Sequence, residues 1–412
     1  MMGMEIRSIA GDELQGWLRT VATGFHASPD VEAEEADLLR PYYDLDRTLG
    51  AFDDGRCVAT FRSFTHEVTA VGGAPVTSDA ITAVTVLPTH RRRGLLTRMM
   101  DLDLRAAKDR GDPMASLVAA EHLIYSRYGF GPATWLTEFR VEVGRARTAP
   151  VLEFDGRVDL VDGAEVRKVG PAVHDRLRSR LAGVVSRDDR WWRMHTGDLV
   201  LPSSKPWKEP YHAVCRSAAG EVEGLVSYTS DGKWDGFQPD CTATVQELIA
   251  ATPSAERALW HYLCSIDWIT RIETGGRPSD DLLPLLLGDP RAARVVSHGD
   301  SVWLRPLDVP RLLEARSYAT SASLVLDLHD RAGLAGGRFL LEATPDGATC
   351  TPTTRSADLA FDVSAFGPLY LGDESAVRLA ALGRLTEETP GAAALADPLF
   401  RAARRPWCPD IF

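Results

Sequence analysis

The chain has 412 residues, of which 44% are hydrophobic and 25% are charged, a composition typical of a globular protein long enough for two or three domains. No run of about 18 apolar residues exists, so no membrane span is expected, and the first residues lack the apolar core of an export signal. The formal net charge of −12 argues against a nucleic-acid partner and favours cationic small molecules, because a negative field attracts positive ligands; alternatively, the charge only keeps the protein soluble.

The six cysteines are scattered along the chain without Cys-x-x-Cys spacing. This distribution predicts free thiols in a reducing cytoplasm rather than a disulfide framework or a zinc site. We therefore expect a cytoplasmic protein that holds no metal.

The first 150 residues predict an α+β unit. Helical spacing of apolar residues covers 11–23, and strands at 47–51 and 56–64 are predicted to form a hairpin around Asp53-Asp54-Gly55. The elements predicted further along are a strand at 81–86, a helix at 93–109, a strand at 114–120, a turn region from Tyr125 to Pro132 and a closing strand at 134–143. A seam follows at Thr148-Ala149-Pro150.

Residues 84–96 are the most informative segment of this unit. An alternating strand leads into a Pro-Thr turn and then into Arg91-Arg92-Arg93-Gly94, which opens a helix. Gly94 permits close backbone approach, the first helical turn exposes N–H donors, and the arginines add charge that pairs with phosphates. The segment predicts a pyrophosphate-binding turn, although without its strand it would equally fit a solvated basic helix start.

A second unit repeats this order of elements without the basic turn. Its predicted helices lie near 172–182 and 254–268, and its predicted strands near 213–216, 224–228 and 242–248. Ala251-Thr252-Pro253-Ser254-Ala255 stands where the basic turn would be needed. We interpret this unit as a structural duplicate that lacks the phosphate site.

After about residue 297 the composition shifts towards Ala, Leu, Gly and Thr. The pattern predicts a small α+β domain with strands at 323–328, 337–343 and 348–353 and helices at 363–371 and 375–385. The chain ends in the hydrophobic tail Trp407-Cys408-Pro409-Asp410-Ile411-Phe412. Chain ends are usually polar and frayed, so this tail is expected to be ordered.

Three segments together resemble the enhanced intracellular survival (Eis) family of actinobacterial N-acetyltransferases, in the GNAT superfamily. They are Val84 to Leu96, Ile124 to Thr134 with its Tyr-Ser-Arg-Tyr-Gly-Phe-Gly-Pro core, and the Trp-Cys-x-x-x-Phe ending. The resemblance spans the whole chain and implies mixed α/β sheets in three domains. These are a catalytic GNAT domain at 1–150, a degenerate GNAT-like domain at 151–296, and a sterol-carrier-like domain at 297–412 whose tail reaches the active site.

The resemblance also implies a co-substrate and a set of site residues. Acetyl-coenzyme A is implied to contact Val84, Thr85, Val86, Arg92, Arg93, Gly94, Leu95, Leu96, Thr97, Ala120 and Glu121. Tyr125 is implied as the general acid and the α-carboxylate of Phe412 as the general base. An alkyl ammonium with a pKa near ~10.4 must lose a proton before it attacks a thioester, and a desolvated carboxylate can accept it. The alternative is that the aromatic tail only docks.

Other residues compete for these roles. His122 and Glu121 offer a side-chain base, since an imidazole titrates near neutral pH, or they are ordinary polar turn residues. Tyr128 is a competing acid, or it packs beside Phe130.

Two further clusters are open to two interpretations. Trp191 and Trp192, with His195 and Asp198, either pack the central domain or line the mouth of the substrate site. The acidic run at 30–37 either borders that mouth or forms a solvated helix face.

The predicted activity is acetyl transfer to an amine of a cationic small molecule, with aminoglycosides the class that the resemblance implies. Direct transfer in a ternary complex is expected, because no cysteine lies in the catalytic segments to carry the acetyl group. Alternative acceptors are a protein lysine or a biosynthetic amine, and a non-catalytic lipid-binding or scaffolding protein is a further alternative. The resemblance also implies a homo-oligomer, a hexamer.

Overall fold

The computed structural model describes residues 4–146, 154–203 and 206–412. The strands of the first range are β1 (Glu5–Ser8), β2 (Thr48–Asp53), β3 (Arg56–Thr69), β4 (Pro75–Val86), β5 (Met114–Val118), β6 (Gly131–Pro132) and β7 (Trp135–Glu142). Its helices are α1 (Leu14–Gly24), α2 (Ala33–Leu39), α3 (Leu95–Arg110), α4 (His122–Tyr125) and α5 (Val143–Ala146). The α+β class predicted from the sequence is confirmed.

The middle of the chain supplies the next elements. Its strands are β8 (Arg157–Val161), β9 (Tyr211–Arg216), β10 (Val222–Ser230), β11 (Trp234–Asp235), β12 (Gln238–Pro239), β13 (Cys241–Ala250), β14 (Ile269–Pro278), β15 (Ala293–Asp300) and β16 (Val302–Pro306). Its helices are α6 (Gly163–Arg178), α7 (Asp189–His195), α8 (Pro253–Ser265) and α9 (Leu283–Leu286).

The last part of the chain forms a smaller layer. Its strands are β17 (Ala322–His329), β18 (Gly337–Thr344), β19 (Gly347–Pro352), β20 (Leu359–Asp362) and β21 (Leu385–Glu387). Its helices are α10 (Val309–Ala315), α11 (Phe366–Tyr370), α12 (Ala376–Ala381) and α13 (Ala392–Phe400).

Among the described residues these strands form three main sheets. The first has the order β1-β2-β3-β4-β5-β16-β6, the second β15-β7-β14-β13-β10-β9-β8, and the third β19-β18-β17-β20-β21. In the first two sheets an antiparallel meander meets a parallel pair, β4 with β5 and β13 with β14. The second sheet is thus a topological repeat of the first.

Two strands cross between the units predicted from the sequence. The strand expected at 134–143 was predicted to close the first sheet, which is wrong, because β7 pairs with β14 and β15 of the second sheet. The place beside β5 is taken by β16. The exchange gives each sheet a pairing partner from another part of the chain, and alternation of side chains cannot reveal which partner a strand takes. The predicted boundary at 296/297 falls inside β15, and the predicted seam at 148–150 lies outside the described residues.

Several predicted elements have different ends. The β3–β4 hairpin is longer than predicted, α6 begins nine residues before the predicted 172, and the helix predicted at 375–385 ends at Ala381. Gly383 then takes φ +68 and leads into β21. Helices α10 and α13 and strand β20 were not predicted.

One hydrophobic core joins the third sheet to the first. Leu304 of β16 and Met114 of β5 belong to the same buried cluster as Leu326 and Phe366. Gly131 approaches so closely that a Cβ there would lie 1.8 Å from the carbonyl oxygen of Ser364. The last domain is therefore fixed on the first sheet, and the tail that leaves it starts from a defined position.

A buried charge cluster ties β4 to α3. The fully buried Asp79 accepts from Arg47 at 2.5 Å and from Arg110 at 2.7 Å. Asp103, on α3, accepts from the hydroxyl of Ser63 at 2.6 Å. Burial, with the neighbouring Asp79 carboxylate, raises the pKa of Asp103 well above its usual range. A proton held on Asp103 allows the two carboxyl groups to lie together.

Asp103→Asn should therefore remove a pH-dependent part of folding stability. The folded state keeps the Asp103 proton that the unfolded chain, with a pKa of about 3.9, loses. The stabilisation is complete below about pH 4 and declines as the pH rises through the raised folded pKa. Denaturant unfolding at pH 5 and pH 8 should show wild type losing stability relative to the variant at the higher pH. Asp101→Asn, at an exposed position of α3, should follow wild type at both.

Candidate functional site

Strands β4 and β5 separate in the middle of the first sheet. Their parallel pairing ends at Ile81 and Leu117, whereas β4 continues to Val86. Ala83 has φ +51 at this point, and its carbonyl accepts from the hydroxyl of Thr60 at 2.8 Å. The edge of β4 that faces β5 is therefore outside the ladder from residue 82 to 86. Such an edge can pair with the amides of an extended ligand.

The turn after β4 ends at an uncapped helix. Gly94 is the N-cap of α3 with φ +74, no side chain caps the first turn, and Arg92 is also left-handed with φ +63. Arg91 and Arg93 donate to the carbonyls of Val86 and Thr89 within the same turn, and all of 91–94 is exposed. An uncapped helix N-terminus with surrounding arginines suits a pyrophosphate.

The equivalent helix of the second sheet carries its own cap. The hydroxyl of Thr252 accepts from the backbone N–H of Ala255 at 3.1 Å and donates to Glu223 at 3.0 Å. The cap occupies a first-turn donor, and the carboxylate repels an anion. This is the arrangement expected of a duplicate without a phosphate site.

Tyr125 lies beyond the end of β5. It is the last residue of the short helix α4, where the sequence predicted the start of a turn region. Its ring packs edge-on against Phe130 with centroids 6.4 Å apart, and the residue is buried. Burial, together with Glu121, raises the pKa of its hydroxyl, so at neutral pH Tyr125 is protonated and able to donate. The competing Tyr128 instead shares a 2.9 Å hydrogen bond with Thr97.

The C-terminal tail runs from the third domain across the second to the first. The backbone N–H of Trp407 donates to Ala182 at 2.9 Å, and its indole donates to the carbonyl of Gly276 at 3.2 Å. Trp407 and Cys408 are buried. The tail is therefore built into the fold, as its composition predicted.

Asp410 holds the tail two residues before its end. Arg187, whose side chain is 1% exposed, pairs with Asp410 at 2.9 Å and with Glu247 at 2.9 Å. The same guanidinium lies 3.6 Å from the ring centre of Trp191. Each hydrogen bond in such a buried network depends on the others, so the position of the last residues is closely defined.

Phe412 lies in a cavity of about 360 Å³ between the first sheet, α7 and the tail. Its ring packs edge-on against His66, with centroids 4.6 Å apart, and against Phe64 at 6.2 Å. The cavity meets β4 at Thr82 and Ala83, where β4 leaves β5. The cavity around Phe412 and the open edge of β4 are therefore neighbours along one strand.

The histidines near this cavity are engaged by other groups of the protein. His66 is fully buried and shares a 2.8 Å hydrogen bond with Ser116, and desolvation lowers its pKa to about 3. His195 stacks on Trp191 with centroids 3.8 Å apart, and desolvation lowers its pKa as well. His122 lies outside the lining of the cavity and pairs with Asp300 at 3.5 Å.

The structure places the remaining candidates as follows. Trp191 and His195 line the cavity, whereas Trp192 is buried among Val166, Val173 and neighbours in the core of the second domain. The acidic run at 30–37 is outside the lining, and its Glu35 accepts from the backbone N–H of Ser203 at 2.9 Å.

Sequence reasoning missed three cavity residues on β3. Arg62, Phe64 and His66 alternate along one face of the strand, while Ser63 faces α3 through Asp103. Their period of two was a readable signal. The partnership of Arg187 with Asp410, which are 223 residues apart, has no such signal.

Within the described ranges no group of three or more His, Cys, Asp or Glu side chains is arranged to hold a metal ion. None of the described helices combines the length and apolarity required to cross a bilayer.

Comparison with known proteins identifies the class that this fold and site define. Residues 5–133 match the acetyltransferase (GNAT) domain family, residues 183–306 match a second acetyltransferase (GNAT) domain family, and residues 309–409 match the sterol carrier protein domain family. The molecule is an N-acetyltransferase with two GNAT domains and a sterol-carrier-like domain, and the GNAT fold implies the use of acetyl-coenzyme A.

Similarity to individual proteins extends over most of the chain. It is 59% identical to an uncharacterised N-acetyltransferase of Streptomyces avermitilis over 413 residues, 99% of each chain. It is 37% identical to the N-acetyltransferase Eis of Mycobacterium tuberculosis over 326 residues, which cover 77% of this chain and 76% of that one. The crystal structure of Eis1 from Mycobacterium abscessus superposes with a TM-score of 0.86 at 33% identity, over 99% and 100% of the two chains. The chain belongs to the Eis family.

Gly94→Ala should weaken acetyl-coenzyme A binding about ten-fold, because an alanine in a left-handed conformation costs about 1–2 kcal/mol and displaces the first-turn donors. The added Cβ meets no other atom within 4 Å, so the effect comes from the backbone and not from a clash. Gly111→Ala is the matched control: Gly111 caps the other end of α3 with φ +82 and equally open space. Calorimetric titration should show weaker binding only for the Gly94 variant, and equal losses in both variants would contradict the phosphate role of this turn.

Proposed function

We propose that the protein transfers the acetyl group of acetyl-coenzyme A to a primary amine that enters the cavity around Phe412. The observation that carries this proposal is the contact of the cavity with β4 at Thr82 and Ala83. The pantetheine arm would pair with Val84–Val86, and the pyrophosphate would lie on the first turn of α3. The thioester would then lie beside the cavity, and the acceptor would approach from the side of the tail.

The proposed mechanism assigns one proton transfer to each of two groups. The α-carboxylate of Phe412 takes a proton from the ammonium, and the free amine attacks the thioester carbonyl. The attack leaves the nitrogen of the tetrahedral intermediate positively charged. The intermediate collapses by breaking the C–S bond, and the hydroxyl of Tyr125 donates its proton to the departing thiolate. The nitrogen then gives up its excess proton, which restores the hydroxyl of Tyr125, and the carboxylate releases the proton that it took to water. A thiol has a pKa of about 8.5 and a phenol one of about 10, so this transfer is feasible. The six cysteines are all buried, which favours direct transfer over a covalent acetyl-enzyme.

An amine panel tests the proposal through release of coenzyme A thiol. Kanamycin represents the aminoglycosides that the family resemblance implies, and spermidine represents a biosynthetic polyamine. A peptide with an acetylatable lysine represents a protein acceptor, and benzylamine represents an amine attached to a compact uncharged ring. Amine-dependent thiol release with at least one of them is the expected result. Absence of release with every amine, in a protein that binds acetyl-coenzyme A, would overturn the function. Uptake of an apolar ligand in that case would favour the lipid-binding alternative.

A hexameric assembly stays a prediction of the family resemblance, and a cytoplasmic location stays a prediction from the cysteine pattern. Light scattering coupled to size-exclusion chromatography would give the mass, to be compared with the 45.0 kDa of one chain.

A further inference from the structure

Arg62 is a buried arginine of the cavity without a carboxylate partner. The residue is 7% exposed, and its guanidinium lies 4.2 Å from the ring centre of Tyr43 and 4.9 Å from that of Phe64. One of its terminal nitrogens donates to the carbonyl of Tyr42 at 3.1 Å, and its Nε has no hydrogen-bond partner. In the part of the chain that the structure describes, no carboxylate lies within ion-pair distance of Arg62.

Arg190 brings a second such cation to the cavity. It lines the space from α7, its Nε is buried without a partner, and no described carboxylate pairs with it. Burial lowers the pKa of Arg62, and Arg190 lowers it further. The charge of Arg190 therefore disfavours the charge of Arg62, and an anion bound by both guanidinium groups would relieve this.

Other buried arginines of the protein have partners within the chain. Arg187 pairs with Glu247 and Asp410, Arg277 with Glu256 and Asp281, and Arg305 with Asp330. Arg316 pairs with no described carboxylate, but its terminal nitrogens donate to the carbonyls of Leu369, Tyr370 and Phe400, three acceptors where Arg62 has one. A buried cation without a partner costs free energy, and such features concentrate at functional sites.

The carboxylates that line the cavity are engaged elsewhere. Asp188 accepts from the backbone N–H of Trp191 at 2.8 Å and caps α7. Asp410 is held by Arg187. The α-carboxylate of Phe412 is reserved for the amine in the function proposed above. Asp188 raises the pKa of Arg62 through space and so offsets part of its charge, but no lining carboxylate forms an ion pair with Arg62 or Arg190 among the described residues.

We propose that the acceptor is an amine that also carries an anionic group, a carboxylate or a phosphate, bound by Arg62 and Arg190. This inference rests on the proposed function and specifies its substrate class. The rings of Tyr43, Phe64 and Phe412 line the same cavity and suit a flat body such as an aromatic ring. A polycationic aminoglycoside would instead bring like charges to two unpaired arginines.

Two pairs of probes test this. 4-(Aminomethyl)benzoate and 4-(aminomethyl)benzamide share their shape and differ in one charge, and aminoethyl phosphate with ethanolamine distinguishes a phosphate from a carboxylate ligand. At neutral pH every probe carries an ammonium group, so we call the member with the carboxylate or phosphate the anion and the member without it the neutral partner. Calorimetry on the protein with coenzyme A should show at least one anion bound about ten-fold or more tightly than its neutral partner, as for a charge-assisted hydrogen bond. The ratio of kcat/KM should favour that anion by a similar factor.

The variants locate the effect. In Arg62→Gln and in Arg190→Gln the preference for the anion over its neutral partner should fall towards one. Arg193→Gln is the matched control, because Arg193 lies on the same helix as Arg190 but pairs with Asp198 and is outside the lining. That variant should keep the preference of wild type. If the buried Arg62 variant does not fold, the half-buried Arg190 still provides the test.

Equal binding of the anion and neutral members of both pairs overturns the inference. A preference that survives in both variants overturns it too, as does a kcat/KM for kanamycin above that of either anionic amine. The binding experiment involves no turnover, so selective binding of the anions without any acetyl transfer would reject the proposed function and leave the anion site standing.

Discussion

Extending the chain by two glycines after Phe412 should lower kcat by about 10²–10⁴-fold, the usual contribution of a general base. The extension moves the α-carboxylate away from its place in the cavity. Binding of acetyl-coenzyme A should be unchanged, because the turn at 91–94 takes no part in the cavity lining. Stopped-assay kcat values and calorimetric affinities measure the two effects, and the same two glycines added at the N-terminus provide the control.

A C-terminal carboxamide, made by protein ligation, separates the base from the docking role of the tail. The amide keeps the ring of Phe412 against His66 and Phe64 but cannot accept a proton. It should be as inactive as the extended chain. Phe412→Ala keeps the carboxylate and should mainly raise KM for the amine. If the carboxamide turns over at the wild-type rate, the tail only docks and another base must be found.

The parts of the candidate site that could be predicted from the sequence are those formed by one short continuous segment. The turn from Arg91 to Gly94 combines strand, glycine and helix start within one window, and Gly94 takes the left-handed φ that its position requires. The hydrophobic composition of the tail likewise predicted an ordered end, and Trp407 and Cys408 pack into the fold. Local patterns of this kind survive because the physical requirement is itself local.

The remaining parts depend on contacts between distant segments. Arg62 and Arg190 share a cavity although they are 128 positions apart in the sequence, and nothing near either residue indicates the other. The exchange of β7 and β16 between sheets has the same origin, because alternation shows that a segment forms a strand and not which sheet receives it. In the second domain the sequence showed that no basic turn precedes α8. It could not show that the hydroxyl of the capping residue Thr252 donates to Glu223, which lies on another strand.

Tyr125→Phe should lower kcat by about 10²-fold, the low end for a general acid, because a thiolate leaving group with a pKa of about 8.5 needs less help than an alkoxide. The pH profile distinguishes an acid from a packing residue. A general acid acts while protonated, so activity falls as the pH rises through its pKa; burial raises the pKa of Tyr125 and moves that fall above pH 10. The wild-type rate should therefore hold up to about pH 10 and fall above it. The rate of the Tyr125 variant should not show this fall at high pH.

Tyr128→Phe is the matched control for this prediction. Its hydroxyl contacts Thr97 at 2.9 Å, so its loss removes a hydrogen bond on the cofactor side and should affect the affinity for acetyl-coenzyme A more than kcat. A larger loss of kcat in the Tyr128 variant than in the Tyr125 variant would transfer the acid role to Tyr128. The tail carboxylate and Tyr125 act on different protons. Blocking the carboxylate and replacing Tyr125 by Phe should therefore each remove a different limb of the pH profile. A merely structural role for either group would not produce this difference.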